Sequence, residues 1–459
     1  MQEVDYLILG AGLAGLAAAD GLRERAPADN VVVLERDEVP GGLVRADYFD
    51  GYWFDRVLHL LYFADPKTET RIRRLLGDEL APCPPTAWVE TGDGVVRYPF
   101  QMHLRGLKQS TIVRCLADLA EVTYVPESDR PAHFQEMLLR TFGRGMCDTF
   151  MFPYNRKMWK RPLDGLAPSG FTWNITPPDL KKVLHGALTT DTGFQAYNAT
   201  GWYPRPPKDA PVRGMQVLSK ALAAQAADLR LEHSVESIDV ERRVVVARCR
   251  DREQEFRFRD GCLCSIPLPR AIALCRQAPE QLRRACRRLS CNRVLSVMLS
   301  VRGPRPEGRG HWRYYADESI DFTRLIYMHE FDPDTAPPEG WGLMAELLET
   351  SRSPMRPEAE VIARVKADVA RVGALPGDCQ IIDAHVRTID PAYVAFTLDS
   401  QPIIEEASGF LRDHGIEPLG RYGRWEYSSM GQVMRDAYTW ADQQSAASPP
   451  RTRPTTVEE

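Results

Sequence analysis

The chain predicts an α/β fold of two interleaved domains, and three observations carry that prediction. Residues 6–15 run as an apolar strand straight into three glycines and an Ala-rich helix, Tyr6-Leu-Ile-Leu-Gly10-Ala-Gly12-Leu-Ala-Gly15. A second apolar run, Val31-Val-Val-Leu34, ends in Glu35, twenty residues beyond Gly15. At 459 residues the chain also exceeds a single typical core, so a second domain is expected beside the first. Strand, glycine turn, helix, strand and acid, in that order, describe a Rossmann-like dinucleotide-binding unit.

Each residue of that unit has a physical task. Gly10 permits the tight turn, Gly12 lets the backbone approach a pyrophosphate, and Gly15 lets the helix pack on the strand. The helix N-terminus then faces the phosphates. Glu35, at the end of its strand, is placed to accept both hydroxyls of an adenosine ribose. In isolation such glycines would read as an ordinary turn, and it is the order of the flanking elements that argues for a nucleotide.

Further along, apolar residues at helical spacing between Leu107 and Leu188, among them Ile112, Cys115, Leu116 and Leu119, predict a helical insertion. Short strands follow from Leu229 to Val246, and the run Phe256 to Pro267 ends in an Ile-Pro-Leu-Pro corner. Alternation in Arg293–Val301, with strand-like runs at Phe322–Met328 and Gly342–Leu347, predicts a second, antiparallel sheet as the floor of a substrate cavity. The last globular element is Leu419–Tyr427 with a helical run from Gln432 to Ala441. Residues 445–459, rich in Pro, Ser and Thr, have too few apolar side chains to repay ordering and are expected to be a disordered tail.

Composition sets bounds on function. With 44% hydrophobic and 26% charged residues and a net charge of −5 mixed along the chain, the protein reads as globular, without a basic surface for nucleic acid. The Arg-rich run Arg283–Arg288 is a solvated helix face or an anion patch. No stretch reaches the ~18 apolar residues of a membrane span, and the N-terminus leads directly into the nucleotide strand, so a cytoplasmic location without a membrane partner is expected. Ten cysteines lack paired Cys-x-x-Cys spacing. Cys262 and Cys264 would share one face of a strand as buried thiols, so no metal is expected.

After Glu35 the chain continues Arg36-Asp-Glu-Val-Pro40-Gly41-Gly42-Leu-Val-Arg45, which resembles the FAD-binding signature of the amine oxidase and protoporphyrinogen oxidase superfamily. The resemblance implies FAD rather than NAD, with Arg36, Gly41, Gly42 and Arg45 joining Gly10, Gly12, Gly15 and Glu35 around it. It also implies that Val235, on the returning strands, belongs to the cofactor set. Over nearly the whole globular region the chain is similar to one branch, the UDP-galactopyranose mutase-like flavoenzymes. Phe54-Asp-Arg-Val-Leu-His59 resembles the segment that brings a histidine near the flavin, and Tyr98-Pro-Phe-Gln-Met-His103 the approach to the helical domain. Pro153-Tyr154-Asn-Arg-Lys157-Met-Trp159 resembles the segment whose aromatic covers the substrate base. Phe322-Thr-Arg324 resembles the strand whose arginine binds substrate phosphate, and Gly420-Arg421 with Met430 the closing motif that touches flavin and pyrophosphate. Tyr154, Trp159, Arg324 and Tyr427 are thereby substrate candidates, and His59 and Arg324 catalytic ones.

The side chains leave alternatives open. Arg421 is a phosphate clamp or a surface ion pair, Arg324 an anion site or a structural ion pair, and His59 a group beside the flavin or a core histidine. The pattern also departs from the mutases. Phe171-Thr-Trp-Asn-Ile-Thr-Pro-Pro178 has no arginine where they carry one, and Ala395-Phe396-Thr397 stands in place of a Tyr-Tyr-Pro segment. Arg205, Lys208 and Arg213 are candidates for replacement charge.

On this resemblance the FAD domain comprises residues 1–80, 205–270 and 400–444, the helical part of the substrate domain 81–204 and its sheet-containing part 271–399. The implied cofactor is noncovalent FAD, with NAD(P)H as an external reductant. The expected substrate is a small molecule, a sugar or sugar-nucleotide, handled by mutase-like chemistry at flavin N5 or by hydride-transfer oxidation or epimerisation. An amine oxidase or dehydrogenase type of reaction is the alternative, and a flavin-binding scaffold without turnover is a third reading. Oligomerisation is left open.

Overall fold

In the computed structural model, which describes residues 1–25, 30–58, 60–124, 129–169, 177–189 and 200–447, the first sheet is organised around the strand Gln2–Leu9. Val4 through Leu9 are all buried, as a central parallel strand covered on both faces requires. It runs parallel to Val31–Leu34 on one side and to Arg252–Cys264 on the other. Val31–Leu34 pairs in turn with Asp228–Arg230. Arg252–Cys264 leads into an antiparallel meander with Val244–Cys249 and His233–Asp239, and its far end takes Ile416–Pro418. Segments separated by hundreds of residues thus build one sheet.

Helix Leu13–Arg25 covers that sheet and is buried from Leu13 to Leu22. Against it lies the helix Met430–Ala447. The two approach closely because Gly21 has no side chain: a Cβ there would stand 2.7 Å from Cβ of Ala441. Trp440 of the same helix packs edge-on to Tyr6 at 6.2 Å. This last helix runs three residues into the span read as a tail, and residues 448–459 lie outside the described residues.

The second sheet has the order Gln380–Ala395, Ser290–Arg302, Gly340–Thr350, Arg324–Tyr327, Trp312–Tyr315, Ala87–Thr91, Gly94–Arg97. All neighbours are antiparallel except Trp312–Tyr315 against Ala87–Thr91, which are parallel. Two of these strands come from the stretch assigned to helices by the sequence. Ala87–Thr91 alternates buried and half-buried side chains, but five residues are too short a run for periodicity to distinguish from a loop. The helices Gln109–Thr123, Phe134–Met146, Phe152–Trp159 and Leu180–Leu188 do occupy the rest.

Alternation along the second sheet decides what faces where. Val297, Leu299, Leu325, Leu343 and Ala345 point to one side, where Val361, Val365 and Val369 of helix Glu358–Arg371 cover them. Arg324 and Glu346 have the opposite parity and therefore face inward. In the first sheet, Cys262 and Cys264 share a face and are buried, and burial pushes both thiols up. Among the described residues no helix is long and apolar enough to cross a membrane.

Candidate active site

Between the first sheet and the strand Gln380–Ala395 lies a cavity of about 480 Å³, lined by Gly10, Gly12, Glu35, Arg36, Gly42 and Val235 among others. Gly10 takes φ +102°, and its N–H donates to the carbonyl of Leu34 at 2.8 Å, which turns the chain sharply at the strand's end. A Cβ on Gly15 would collide with the carbonyl oxygen of Gly10 at 2.0 Å, so Gly15 is a packing position. On Gly12 a Cβ would meet no protein atom within 4 Å, and Gly12 opens onto the cavity. The cradle has the form an extended dinucleotide needs, bare backbone at the N-terminus of a buried helix.

Glu35 closes one end of the cavity. Its carboxylate accepts the N–H of Ala11 at 2.7 Å and that of Asp37 at 3.0 Å, which fixes its plane and leaves lone pairs on both oxygens for further donors. Arg45 does not line the cavity. Its buried guanidinium donates to Asp37 at 2.8 Å and so holds the loop that follows Glu35. Gly41, Gly420 and Met430 line an adjoining space of about 120 Å³ that also touches Gly12 and Arg421.

A third space, of about 310 Å³, brings together Tyr154, Trp159, Arg324 and Tyr427, the four substrate candidates. Leu43 and Tyr422 line all three spaces, which therefore adjoin one another between Glu35 and the tyrosines. Helix Phe152–Trp159 supplies Tyr154, Asn155, Met158 and Trp159 to this wall, residues brought to one side of the helix by the three- and four-residue spacings Asn155–Met158, Tyr154–Met158 and Asn155–Trp159. Lys157, on another face and only 4% exposed, anchors the helix from behind. Its ammonium donates to the carbonyls of Tyr315, Asp317 and Phe322 at 2.9, 2.9 and 2.7 Å. At the helix C-terminus, Asn292 donates to the carbonyls of Met158 and Trp159, and Arg161 donates to Asn292.

Aromatic rings make most of this wall. Tyr154 meets Tyr314 edge-on at 5.5 Å, Tyr314 lies 5.5 Å from Tyr98, and Trp159 is edge-on to Tyr427 at 6.0 Å. Burial raises the phenols of Tyr154, Tyr393, Tyr422 and Tyr427, so they remain protonated; Tyr422 donates its O–H to the carbonyl of Ala392 and Tyr427 to that of Val394. Sequence reasoning missed Tyr393, which lines the cavity two residues before the Ala395-Phe396-Thr397 segment where a tyrosine was read as lost. Phe396 itself packs on Tyr427 at 5.7 Å.

Among the described residues, three charged side chains line this cavity. Arg324 and Glu346 are direct cross-strand partners, and the guanidinium grips the carboxylate twice, Nε to Oε2 at 2.6 Å and Nη2 to Oε1 at 2.9 Å. Burial alone would pull Arg324 down, but the carboxylate of Glu346 more than offsets it and holds the guanidinium above its ordinary value. Arg324 is therefore ion-paired in the cavity wall, its charge shared with Glu346. Glu346 was also missed, although a lone acid within Gly342-Leu-Met-Ala-Glu-Leu-Leu348 is a visible signal. Arg421 differs from Arg324. Its guanidinium carbon stands 4.8 Å from the ring centre of Tyr427 and 5.2 Å from that of Tyr393, and its buried Nε has no hydrogen-bond partner. Among the described residues lining this space, it is the cation without a carboxylate partner.

Other candidates lie elsewhere. Arg213 is 1% exposed and paired with Asp332 at 2.8 Å, and Arg205 donates to the carbonyl of Phe331, so neither brings replacement charge to the cavity. Lys208 is exposed. His59 and residues 171–176, where a mutase arginine is missing, lie outside the described residues.

The family model described as flavin containing amine oxidoreductase matches residues 13–397. Among solved structures, the chain resembles reduced UDP-galactopyranose mutase with a TM-score of 0.88 at 19% identity, covering 98% of this chain and 95% of that one. It also resembles putrescine oxidase bound to putrescine, at a TM-score of 0.63 and 16% identity over 97% and 99% of the two chains. A third is a fatty acid isomerase from P. acnes that produces CLA, at 0.61 and 15% over 96% and 98%. At these identities the likeness is one of fold, and the three names span different reactions.

Proposed function

The chain belongs to the flavin containing amine oxidoreductase family, and on that premise we propose that this FAD-dependent flavoenzyme acts on a sugar or sugar-nucleotide in the tyrosine-lined cavity. In this reading FAD is noncovalent and extended along the channel. Glu35 takes the ribose hydroxyls, and Arg36 and Val235 flank the adenosine. The bare backbone at Gly10, Gly12 and Gly42 faces the pyrophosphate, and the ring lies toward Gly41, Gly420 and Met430. A bound flavin supplies N5, either as a nucleophile in a redox-neutral isomerisation or as a hydride acceptor. NAD(P)H is the proposed external reductant for the redox-neutral case.

The protein's own residues bind and orient the substrate. Tyr154 and Trp159 offer flat faces, Tyr427, whose O–H is held by the carbonyl of Val394, offers its oxygen as an acceptor for hydroxyls, and Arg421, which lines both this cavity and the flavin end, offers a charge between cofactor and substrate. Arg324 contributes donors while its charge is spent on Glu346. His59 follows the cavity-lining Leu58 in sequence and is kept as a candidate for the reacting end.

Arg421 is the observation that carries this reading over an amine oxidase. A protonated amine ~6 Å from an uncompensated guanidinium would be repelled by about 3 kcal/mol at an effective dielectric of ~20. A polyol or an anion is not repelled, and the phenols satisfy its oxygens. The test is a flavin-absorbance titration of the purified protein, oxidised and then dithionite-reduced, against galactose, galacturonate, UDP, and UDP- and TDP-sugars, with a panel of primary amines alongside. A saturable perturbation by a carbohydrate, tighter in the reduced state, is expected. Bleaching of the flavin by an amine, with none of the carbohydrates perturbing it, would replace this reading with an amine-oxidising one.

A further inference from the structure

Two guanidiniums share one carboxylate at the wall of the 480 Å³ cavity beside the glycine turn. Asp47, on the strand Ala46–Phe49, is 9% exposed. Arg387 grips it with a fork, Nε to Oδ2 and Nη2 to Oδ1, both at 2.9 Å. Arg56 is left with the already occupied Oδ1, its Nη2 and Nε standing off at 3.3 and 3.4 Å. The other acid nearby, Asp37, is taken by Arg45 at 2.8 Å. One net positive charge therefore remains on the Arg56–Asp47–Arg387 trio, and it falls to Arg56, whose contacts are the longer ones. Burial pulls Arg56 below its ordinary value, Asp47 works against this, and Arg45 and Arg387 pull it down further. An anion beside Arg56 would restore the balance.

Backbone register fixes the trio. The N–H of Arg56 donates to the carbonyl of Arg45, and the hydroxyl of Ser296 donates to the carbonyl of Arg56 at 2.9 Å. Ser296 is the cross-strand partner of Arg387, so the second sheet delivers Arg387 to Asp47. Arg56 and Arg387 line the same cavity as Gly10, Gly12 and Gly42, whereas Asp47 does not, so the cavity meets the cations and not the acid. A pyrophosphate brings two negative charges, and the helix end behind the glycines supplies only about half an elementary charge against them. We propose that Arg56 binds the pyrophosphate of the cofactor, and that Arg387 is a positioning residue that keeps Asp47 occupied so that Arg56 stays available. The inference rests on the placement of FAD given above and is independent of the substrate. It makes cofactor retention depend on the second sheet as well as the first.

The experiment measures FAD affinity by equilibrium dialysis of the full-length, flavin-stripped protein. Arg56→Met and Arg387→Met should each weaken FAD about tenfold, because each leaves the trio without net charge. Adding Asp47→Asn to Arg387→Met should bring the affinity back to within about threefold of wild type, which a merely structural role for Arg387 would not do. The same addition to Arg56→Met should restore nothing. In the wild type, FAD affinity should fall about threefold or more between low salt and about 0.5 M salt. Rescue of Arg56→Met by Asp47→Asn, no rescue of Arg387→Met in a variant that keeps the wild-type near-UV circular dichroism, or a salt-independent wild type would each overturn the inference. The salt profile needs no variant and decides the matter even where one fails to fold. If the wild type binds no FAD, the cofactor placement itself falls; if it binds FAD and these variants leave the affinity unchanged, only the roles of Arg56 and Arg387 fall.

Discussion

Lys157→Met should destabilise the protein far more than Arg156→Ala, although the two residues are neighbours on one helix and both are basic. Lys157 is 4% exposed and gives its three ammonium protons to three backbone carbonyls at 2.7–2.9 Å. Methionine keeps the stem's bulk but leaves those carbonyls without a donor. An unsatisfied buried acceptor costs ~1–3 kcal/mol, and relief from burying the ammonium offsets part of the total, so a net loss of about 4 kcal/mol is expected. Arg156 instead pairs with Glu318 at the surface, both side chains close to half exposed, and such a pair contributes under ~1 kcal/mol. For 459 residues the unfolding entropy is ~1 kcal/mol/K, so Lys157→Met should lower Tm by about 4 °C and Arg156→Ala by about 1 °C or less. Scanning calorimetry of the purified holoenzyme, with near-UV circular dichroism reporting Trp159, measures both. Equal shifts, or a Lys157→Met shift below about 1 °C, would refute the argument that this lysine anchors the helix carrying Tyr154 and Trp159.

Four further outcomes test the nucleotide end and the core. Gly12→Ala should leave the melting of flavin-stripped protein within ~0.5 kcal/mol of wild type while lowering flavin retained per chain, because its Cβ meets only the cavity. Gly15→Ala should cost ~1–3 kcal/mol or more even without flavin, because its Cβ meets a carbonyl oxygen at 2.0 Å. Glu35→Ala removes the acceptor of the Ala11 N–H and should weaken FAD binding by about tenfold or more in an equilibrium dialysis measurement. Asp55 sets a pH dependence. Burial pushes its carboxyl up to about 7, against the hydroxyl of Tyr203 and the N–H of Met215, which both donate to it. Its folded value lies above its unfolded one, so its contribution is fully present below about pH 4 and is lost as pH rises through about 7. One proton across that window is worth ~4 kcal/mol at ~1.4 kcal/mol per pH unit. Asp55→Asn should remove that slope, so urea unfolding at the acid and neutral ends of the window should differ less for the variant than for wild type.

Much of the first domain was legible because its signals are local. The Gly10–Gly15 turn, the strand ending at Glu35 and the helix between them are dictated by backbone needs that only particular residue types meet, and Gly10, Gly12 and Glu35 line the cavity found there, while Gly15 and Arg45 do not. The substrate end was legible in part. Tyr154, Trp159, Arg324 and Tyr427 do share one space, but Tyr393, Tyr314 and Glu346 come from strands whose inward parity depends on a register no single segment encodes. The strand Ala87–Thr91 was hidden for the same reason, because its parallel partner in the sheet lies more than two hundred residues away, and Gly94–Arg97 joins the sheet only through it.

The sequence alone determined that a dinucleotide cradle opens the chain, since three glycines, a buried helix and a terminal acid at those spacings leave little other use for them. It also determined that two arginines, at 324 and 421, stand among aromatic residues in the later half. Only the tertiary structure decided what those arginines are. Register across the sheet sets Glu346 opposite Arg324 and cancels it, whereas the fold offers Arg421 two ring faces and no carboxylate. A charge is written in the sequence, but whether it is available depends on which side chains the fold brings within a few ångströms of it.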